Sequence, residues 1–320
     1  MKTIAVLRGG PSEEYAVSMK TGSAVLNALK KLNYKLKDVV ITKNSEWLDN
    51  GFVKLPESVL EGVDVAFIAL HGSYGEDGQV QRILERKRIP FTGSRALSSA
   101  IAFNKDLTKQ TLRPYGIKMP MHRKINRLEL DRLDEEIPNI FKEIGQELFI
   151  KPIASGSSVG ARYIPNSETL KSSLSELLEE YEQVMVEEFI RGREATVGVL
   201  DNFRNQTIYA LPVIEVIPPK TAVFYDAVNK YDGTTDHICP GRFTYAEKAS
   251  LEETARKVHE IMKCSHYSRS DFIVKDGEIY FLEINTLPGM TEHSNFPIAA
   301  KAVGLEFPKL IEHLIESAHV

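Results

Sequence analysis

Two short segments near the end of the chain bring oxygen-bearing side chains together. Asp271 begins one predicted strand (271–275), Glu283 lies at the end of the next (278–284), and Asn285 directly follows that strand. Because Glu283 and Asn285 are two residues apart, both side chains leave the same face of an extended strand. Carboxylate and amide oxygens suit Mg²⁺, which commonly shares its coordination with substrate phosphates. The pattern predicts a magnesium site, although the solvated outer face of a sheet would carry the same residue types.

The connection between these strands decides whether Asp271 shares that face. A two-residue turn at Asp276 and Gly277 would pair residue 275 with 278, and this register would point Asp271 away from Glu283. We therefore expect either a three-residue loop over 276–278, with positive φ at Gly277 or its neighbour, or a β-bulge.

A second candidate is the small-residue loop 153–160, which contains Gly156, Ser157 and Ser158. Small side chains allow backbone N–H groups and serine hydroxyls to approach phosphate oxygens. A solvent-exposed hairpin tip would have the same composition. Lys151, at the end of the strand before the loop, and Lys105 would add positive charge, which favours a phosphate site. No established phosphate-loop, dinucleotide or zinc motif occurs, so a nucleotide would bind by another device.

The elements that must position these residues divide the chain into three regions. Over 1–98, apolar runs alternate with helical periodicity, which predicts a parallel α/β sheet with strands near 3–7, 39–41, 64–70 and 90–92. Residues 99–184 and 185–320 show paired strands between longer helices, which is typical of smaller α+β domains. The irregular segment 218–239 is expected to be a lid or binding loop.

Composition and charge limit the classes of function. The chain has 320 residues, a net charge of -4 and two cysteines. The longest apolar run, 65–70, is far shorter than the roughly 20 residues of a membrane span. We expect a cytoplasmic protein that binds a small molecule, with no nucleic-acid or membrane partner, because there is no overall positive charge.

Taken together and in their order along the chain, these segments resemble the D-alanine–D-alanine ligases of the ATP-grasp superfamily. The matching segments are 9–14, 17–18, 71–78, 105, 151–152, 156–160, 187–188, 192–194, 224–226, 230–231, 269–271 and 283–294. The resemblance implies a three-domain ATP-grasp fold with the nucleotide between the central and C-terminal domains. It also implies an ADP-forming ligase that joins two D-alanine molecules for peptidoglycan synthesis, commonly as a homodimer.

The resemblance assigns a nucleotide-binding set: Lys105, Lys151, Gly156, Ser157, Ser158, Glu187, Glu188, Phe189, Ile190, Glu194 and Lys230. Glu187 would meet the adenine amino group and Glu194 the ribose, while Phe189 and Ile190 would line the adenine pocket. Lys230 would reach the γ-phosphate of ATP from the lid. Two Mg²⁺ ions, or Mn²⁺ in their place, would be held by Asp271, Glu283 and Asn285.

The resemblance also implies a catalytic set, Glu14, Ser157, Tyr231, Arg269, Gly289 and Ser294, with His71 and Glu76 as further substrate-binding residues. Glu14 would hold the ammonium group of the first D-alanine, and Ser294 the carboxylate of the second. Arg269 and the Gly289 N–H would stabilise the tetrahedral oxyanion. His71 fits a position beside the first substrate, although a lone histidine after a strand also serves purely structural roles.

Two other functions stay open at this point. One is the same chemistry with D-lactate or D-serine as the second substrate. Asn295 stands where relatives usually have an apolar residue, whereas Tyr231 argues against D-lactate. The other is a non-catalytic nucleotide-binding regulator, which the presence of both phosphate lysines, the metal ligands and Arg269 disfavours.

Overall fold

The computed structural model describes residues 1–156, 159–219 and 234–319 of the chain. Four predicted site residues, Ser157, Ser158, Lys230 and Tyr231, lie outside the described residues, as does most of the predicted lid 218–239. No helix within the described ranges is both long and apolar enough to cross a membrane.

The first region contains a five-stranded sheet of order β4-β3-β2-β1-β5. Its strands are β1 Thr3–Gly9, β2 Lys35–Ile41, β3 Trp47–Asp49, β4 Phe52–Lys54 and β5 Val65–Ile68. The helices are α1 Tyr15–Leu29, α2 Pro56–Val59, α3 Gln79–Lys87 and α4 Ala96–Phe103. The predicted parallel pairing is confirmed for β2, β1 and β5. The antiparallel β3–β4 hairpin was not predicted, although Asn50 and Gly51, both at positive φ, form a characteristic hairpin turn.

The second region is a four-stranded antiparallel sheet of order β6-β9-β7-β8. Its strands are β6 His122–Asn126, β7 Leu148–Pro152, β8 Arg162–Ile164 and β9 Gln183–Glu188, and its helices are α5 Lys105–Leu112, α6 Leu133–Ile144 and α7 Ser167–Glu180. Alternation divides β9 between two faces. Val184 and Val186 enter the hydrophobic core beside α6 and α7, which leaves Met185 and Glu187 on the opposite face.

The third region has a six-stranded sheet of order β13-β12-β10-β14-β15, with β11 paired to β10. The strands are β10 Arg193–Phe203, β11 Gln206–Ala210, β12 Ile214–Ile217, β13 Asp236–Ile238, β14 Tyr267–Lys275 and β15 Glu278–Asn285. The helices are α8 Tyr245–Ile261, α9 Asn295–Ala302 and α10 Phe307–Ser317. Helix α10 returns to the first region, where Leu310 and Leu314 join the core that contains Ile4 and Leu7.

The β14–β15 hairpin resolves the question of register. Lys275 pairs with Glu278 across a two-residue turn, in which Asp276 has φ 51° and Gly277 φ 81°. The expected three-residue loop is therefore wrong, but the alternative, a β-bulge, is confirmed. Phe272 pairs with Phe281 and Asp271 with Glu283, so the extra residue is Leu282. The bulge brings Asp271 and Glu283 opposite each other.

Candidate functional site

A cleft of about 1030 Å³ is lined by residues of all three regions. It is bordered by every predicted site residue within the described ranges except Gly156: Glu14, His71, Glu76, Lys105, Lys151, Glu187, Glu188, Phe189, Ile190, Glu194, Arg269, Asp271, Glu283, Asn285, Gly289 and Ser294. Gly156 lies beside it, because a Cβ at this position would come within 2.2 Å of Glu14 Oε2. The structure thus brings together residues as far apart in sequence as Glu14 and Ser294.

The oxygen ligands predicted for Mg²⁺ share one face of the β14–β15 hairpin. Asp271 Oδ1 accepts hydrogen bonds from Thr196 Oγ1 at 2.6 Å and from Arg269 Nε at 3.0 Å. Asp271 Oδ2 accepts from Arg269 Nη2 at 2.8 Å and from Asn285 Nδ2 at 3.4 Å. No cluster of three or more histidine, cysteine, aspartate or glutamate side chains that could hold a metal occurs in the described part of the chain. A cation here would be held by two carboxylates, one amide and substrate oxygens, a hard donor set that fits Mg²⁺.

The side of the cleft formed by the second region is positively charged. Lys151 Nζ lies 2.7 Å from Glu187 Oε2, and Lys109 Nζ contacts the other oxygen, Glu187 Oε1. Burial alone would raise the pKa of Glu187, but the two lysines outweigh it and lower the pKa to about 2. Lys105 Nζ donates to the Ser155 carbonyl at 2.6 Å and lies 3.8 Å from Glu283 Oε2. Lys105, which is predicted to bind phosphate, therefore lies beside the hairpin face that carries the predicted Mg²⁺ ligands.

An apolar and aromatic wall continues this side of the cleft. Phe189 stacks on Phe149 with ring centroids 6.3 Å apart, and Ile190 is buried. Leu282, the bulged residue of β15, also lines the cleft, beside Glu283. Glu188 ends β9, and Glu194 lies near the start of β10. An adenine ring and its ribose would find apolar surface and carboxylates here.

The loop after β5 forms a corner with a different electrostatic character. His71 Nδ1 donates to the Leu287 carbonyl at 3.1 Å, and His71 Nε2 accepts from Thr21 Oγ1 at 2.9 Å. Burial lowers the pKa of His71 from its ordinary value of 6.5, which favours the neutral ring at neutral pH. Glu76 accepts from Gly72 N at 2.9 Å, and its pKa is raised to about 8 by burial and by the neighbouring Glu14. Glu76 is therefore protonated at neutral pH.

The last corner is formed by the segment after β15. Ser294 Oγ lies 2.8 Å from Thr291 Oγ1 and accepts from Thr291 N at 3.2 Å. A Cβ at Gly289 would lie 3.0 Å from Ser294 Oγ, so a glycine keeps the backbone close to this hydroxyl. The adjacent Asn295 lines the cleft, and its buried Oδ1 has no hydrogen-bond partner among the described residues.

Three residues of the site were missed by the sequence reasoning. Lys109 pairs with Glu187, Thr196 holds Asp271, and Leu282 enters the cleft at the bulge. The sequence could have indicated Thr196, because it lies two residues after Glu194 on one strand and therefore shares its face. It could also have indicated Lys109, because the spacing from Lys105 places both lysines on one face of a helix.

Comparisons with known proteins agree on one family. A profile described as the D-ala D-ala ligase C-terminus matches residues 112–316, and one described as the N-terminus matches residues 53–94. D-alanine–D-alanine ligases from Pelotomaculum thermopropionicum and Aquifex aeolicus are each 40% identical to the chain; the alignments cover 98% of the chain and 96% and 99% of these relatives.

Solved structures give the same picture. The VanG D-Ala:D-Ser ligase from Enterococcus faecalis superposes with a TM-score of 0.86 at 30% identity and covers 98% of both chains. The D-alanine–D-alanine ligase from Bacillus anthracis complexed with ATP has a TM-score of 0.78 at 31% identity, covering 99% of this chain and 97% of that one.

Proposed function

The chain belongs to the D-alanine–D-alanine ligase family and joins two D-alanine molecules with ATP, and from this premise we propose how its residues divide the work. In the first step, the carboxylate of one D-alanine attacks the γ-phosphorus of ATP, which forms an acyl phosphate and releases ADP. In the second, the amine of the other D-alanine attacks the acyl carbon. Inorganic phosphate leaves, the amine loses a proton, and the peptide bond remains.

One observation carries the assignment of the phosphate site. Lys105 Nζ lies 3.8 Å from Glu283 Oε2, and Lys151 borders the same cleft, so two cations adjoin the hairpin that carries the oxygen ligands. We place the ATP phosphates between them, because phosphoryl transfer depends on positioning and on neutralising charge. Asp271, Glu283 and Asn285 would hold Mg²⁺, and Mn²⁺ has the same ligand preference. The metal would supply charge neutralisation on the transferring phosphoryl group.

The adenosine half of ATP would lie along the apolar wall of the cleft. Phe189 and Ile190 would contact the adenine ring, Glu187 and Glu188 lie at its edge, and Glu194 on β10 would accept from the ribose. The loop residues Gly156, Ser157 and Ser158 and the lid residue Lys230 complete the phosphate contacts by resemblance to the family.

The corner that contains Glu14 suits the first D-alanine. Glu14 supplies one negative charge for the ammonium group, and the neutral forms of Glu76 and His71 add none at neutral pH. Gly72 and Gly156 leave room around the Glu14 carboxylate, since a Cβ at either would come within 3 Å of Glu14 Oε2. Ser157 and Tyr231 would link this corner to the lid, by resemblance to the family.

The attack of the second D-alanine would use Arg269, Gly289 and Ser294. We assign the Arg269 guanidinium and the Gly289 N–H to the oxyanion of the tetrahedral intermediate. Ser294 immediately precedes α9, so a carboxylate bound at its hydroxyl would also face the positive end of this helix. This places the carboxylate of the second D-alanine there.

An assay of the purified chain tests this function. ATP, Mg²⁺ and D-alanine together should give one ADP and one phosphate per D-alanyl-D-alanine, as measured by coupled ADP detection and mass spectrometry. ATP alone and ATP with L-alanine are the controls. ADP formation that does not depend on D-alanine would contradict the assignment.

A second candidate is the use of D-serine as the second substrate. The buried Asn295 Oδ1, without a partner among the described residues, could accept a hydrogen bond from a serine hydroxyl, and the VanG D-Ala:D-Ser ligase has the same fold. An assay that offers D-alanine and D-serine together and measures both dipeptide products decides between the two functions. We expect D-alanyl-D-alanine to dominate, and a dominant D-alanyl-D-serine product would reverse the order.

We further propose the three domains 1–98, 99–184 and 185–320, with a location in the cytoplasm, where ATP is supplied. Strand pairing would favour a second boundary after β9, because this strand belongs to the second sheet. A homodimer is proposed from the resemblance and from exposed apolar side chains on and beside edge strand β4, Phe52, Val53 and Leu55. Light scattering on the eluted protein tests it.

A further inference from the structure

Lys109 is a fully enclosed lysine behind the wall of the cleft. Its side chain is 0% exposed, compared with 9% for Lys151. Among the cleft-lining residues that the structure describes, Lys151 and Glu187 are present and Lys109 is not. Among the described residues of the cleft, Lys109 contacts the carboxylate of Glu187, at the oxygen not used by Lys151.

The local sequence places this lysine one helical turn below the phosphate site. Helix α5 begins after Asn104, whose side chain accepts from Leu107 N, and Lys105 N donates to the Ile153 carbonyl at 3.0 Å. Lys105 and Lys109 are four residues apart, so they share a face of the helix. The Lys105 side chain reaches the cleft, and the Lys109 side chain reaches Glu187 on β9.

The charges of this group do not cancel. Lys109, Lys151 and Glu187 together carry one net positive charge if all three are ionised. Burial lowers the pKa of Lys109, and the attraction of Glu187 opposes this effect. Burial would also lower the pKa of Lys151, but Glu187 and Glu283 raise it. Burying a second cation carries a desolvation cost, so an ion pair of Glu187 and Lys151 alone would be the simpler way to neutralise Glu187.

We propose that Lys109 is a positioning residue for ATP: by neutralising Glu187 from the enclosed side, it leaves the positive charge of Lys151 available to the nucleotide phosphates. Without Lys109, the charges of Glu187 and Lys151 would cancel, and the ion pair would have no net positive charge to attract the phosphates. The inference rests on the proposed binding of ATP phosphates at Lys151.

The test compares nucleotides with and without phosphates in three variants. Lys109→Met removes the charge, and Lys109→Met/Glu187→Gln removes both charges and restores the single positive charge of Lys151. Lys37→Met is the matched control, because Lys37 Nζ also joins a partly buried ion pair, 3.3 Å from Asp49 Oδ2, but on β2. ADP and adenosine are measured as competitive inhibitors against ATP, together with the KM values for ATP and D-alanine.

We expect Lys109→Met to raise the KM for ATP and the inhibition constant of ADP by about 10-fold or more. In Lys109→Met, the adenosine constant and the KM for D-alanine should change less than about 3-fold. The double variant also alters the proposed adenine contact of Glu187, so both of its absolute affinities can fall; the ratio of its adenosine constant to its ADP constant should nevertheless return to within about 3-fold of the wild-type ratio. Lys37→Met should leave all of these constants unchanged. Lys109→Gln, which keeps a hydrogen-bond donor but no charge, should behave as Lys109→Met and serves if the methionine variant does not fold.

Three results would overturn the proposal. The first is a folded Lys109→Met or Lys109→Gln enzyme with wild-type affinity for ADP, and the second is an equal loss of adenosine and ADP binding in that enzyme. The third is a double variant whose ratio of adenosine to ADP constants is the same as that of Lys109→Met. The wild-type assay separates this inference from the proposed function. A wild type without D-alanine-dependent ADP formation refutes the function, whereas an active wild type with unaffected Lys109 variants refutes only the role of Lys109.

Discussion

Two buried glutamates in the same cleft are held in opposite charge states. Glu187 and Glu76 are 2% and 7% exposed, yet the pKa of Glu187 is lowered to about 2 and that of Glu76 is raised to about 8. Burial on its own would raise the pKa of both glutamates. The difference comes from their neighbours, because Glu187 lies between two lysines, whereas Glu76 faces the carboxylate of Glu14.

This difference would allow one cleft to bind a negatively charged group at one end and a positively charged group at the other. The end with Glu187 keeps a net positive charge, which suits the phosphates of ATP. The corner with Glu76 keeps only the negative charge of Glu14, which matches a single ammonium group. If Glu76 were ionised as well, the corner would carry two adjacent negative charges, which repel each other. Counter-charges, and not burial, decide what each end binds.

The largest loss of turnover is expected from a change of Glu283, a third carboxylate of the cleft. Glu283→Gln should lower turnover by at least about 10³-fold, because a lost metal ligand removes several kcal/mol of stabilisation of the transferring phosphoryl group. ATP should still bind weakly. Glu278→Gln is the control, because Glu278 lies on the same hairpin in an exposed pair with Lys118. Near-normal turnover of Glu283→Gln at saturating Mg²⁺ would remove Glu283 from the metal site.

The two buried glutamates should differ strongly in their contribution to stability. Glu187→Gln leaves two buried lysines without an anion, and we expect it to lower the free energy of unfolding by about 3–5 kcal/mol. Glu76→Gln should cost less, because Glu76 is already neutral at pH 7 and the amide has nearly the same shape. Urea denaturation of both variants at pH 7 gives the comparison. Equal losses would show that the two environments are alike.

Removing single groups from the substrate corners should separate the two D-alanine sites. Glu14→Gln should raise the KM mainly for the first, tighter D-alanine, and Ser294→Ala mainly for the second. A lost charge-assisted hydrogen bond costs about 1.5–3 kcal/mol, or roughly 10- to 150-fold in affinity. Initial-rate kinetics that resolve both constants provide the test. Similar effects on both sites, or the reverse assignment, would refute the placement.

Per pH unit, the smallest expected effect is a difference in how stability depends on pH without ligands. The folded-state pKa of Glu76, about 8, lies above its ordinary value of 4.5. Its contribution to stability is therefore complete below 4.5 and is lost as the pH rises through 8. Glu187, with a pKa of about 2, has the opposite sign, because its contribution is complete above 4.5 and is lost as the pH falls through 2.

Unfolding free energies between pH 5 and 8 should thus fall more steeply for wild type than for Glu76→Gln, by up to about 1.4 kcal/mol per pH unit. Parallel curves would mean that Glu76 is ionised throughout this range.

The common face of Asp271, Glu283 and Asn285 could largely be predicted from the sequence. The period-two spacing of Glu283 and Asn285 fixed their common face, and the register argument required either a longer loop or a bulge. The Asp276-Gly277 pair is a good two-residue turn and so favours the bulge, but the residue spacing does not show where a bulge lies. The bulge at Leu282 places a residue that lines the cleft beside Glu283.

The charge states of the cleft were beyond prediction. A sequence shows that Glu76 and Glu187 are glutamates, but their pKa values depend on distances to Glu14 and Lys109, which lie on other elements. The β3–β4 hairpin was missed for a different reason, because three-residue strands are too short to show alternation, although the Asn50-Gly51 turn marked the place.

The central claim is that this cleft activates the carboxylate of one D-alanine as an acyl phosphate. D-alanine labelled with ¹⁸O in its carboxylate, incubated in unlabelled water with ATP and Mg²⁺, tests it most directly. In the proposed mechanism, the attacking carboxylate oxygen leaves with the phosphoryl group, so each inorganic phosphate should carry one ¹⁸O atom for every dipeptide formed. Phosphate without label, at normal dipeptide yield, would contradict the mechanism.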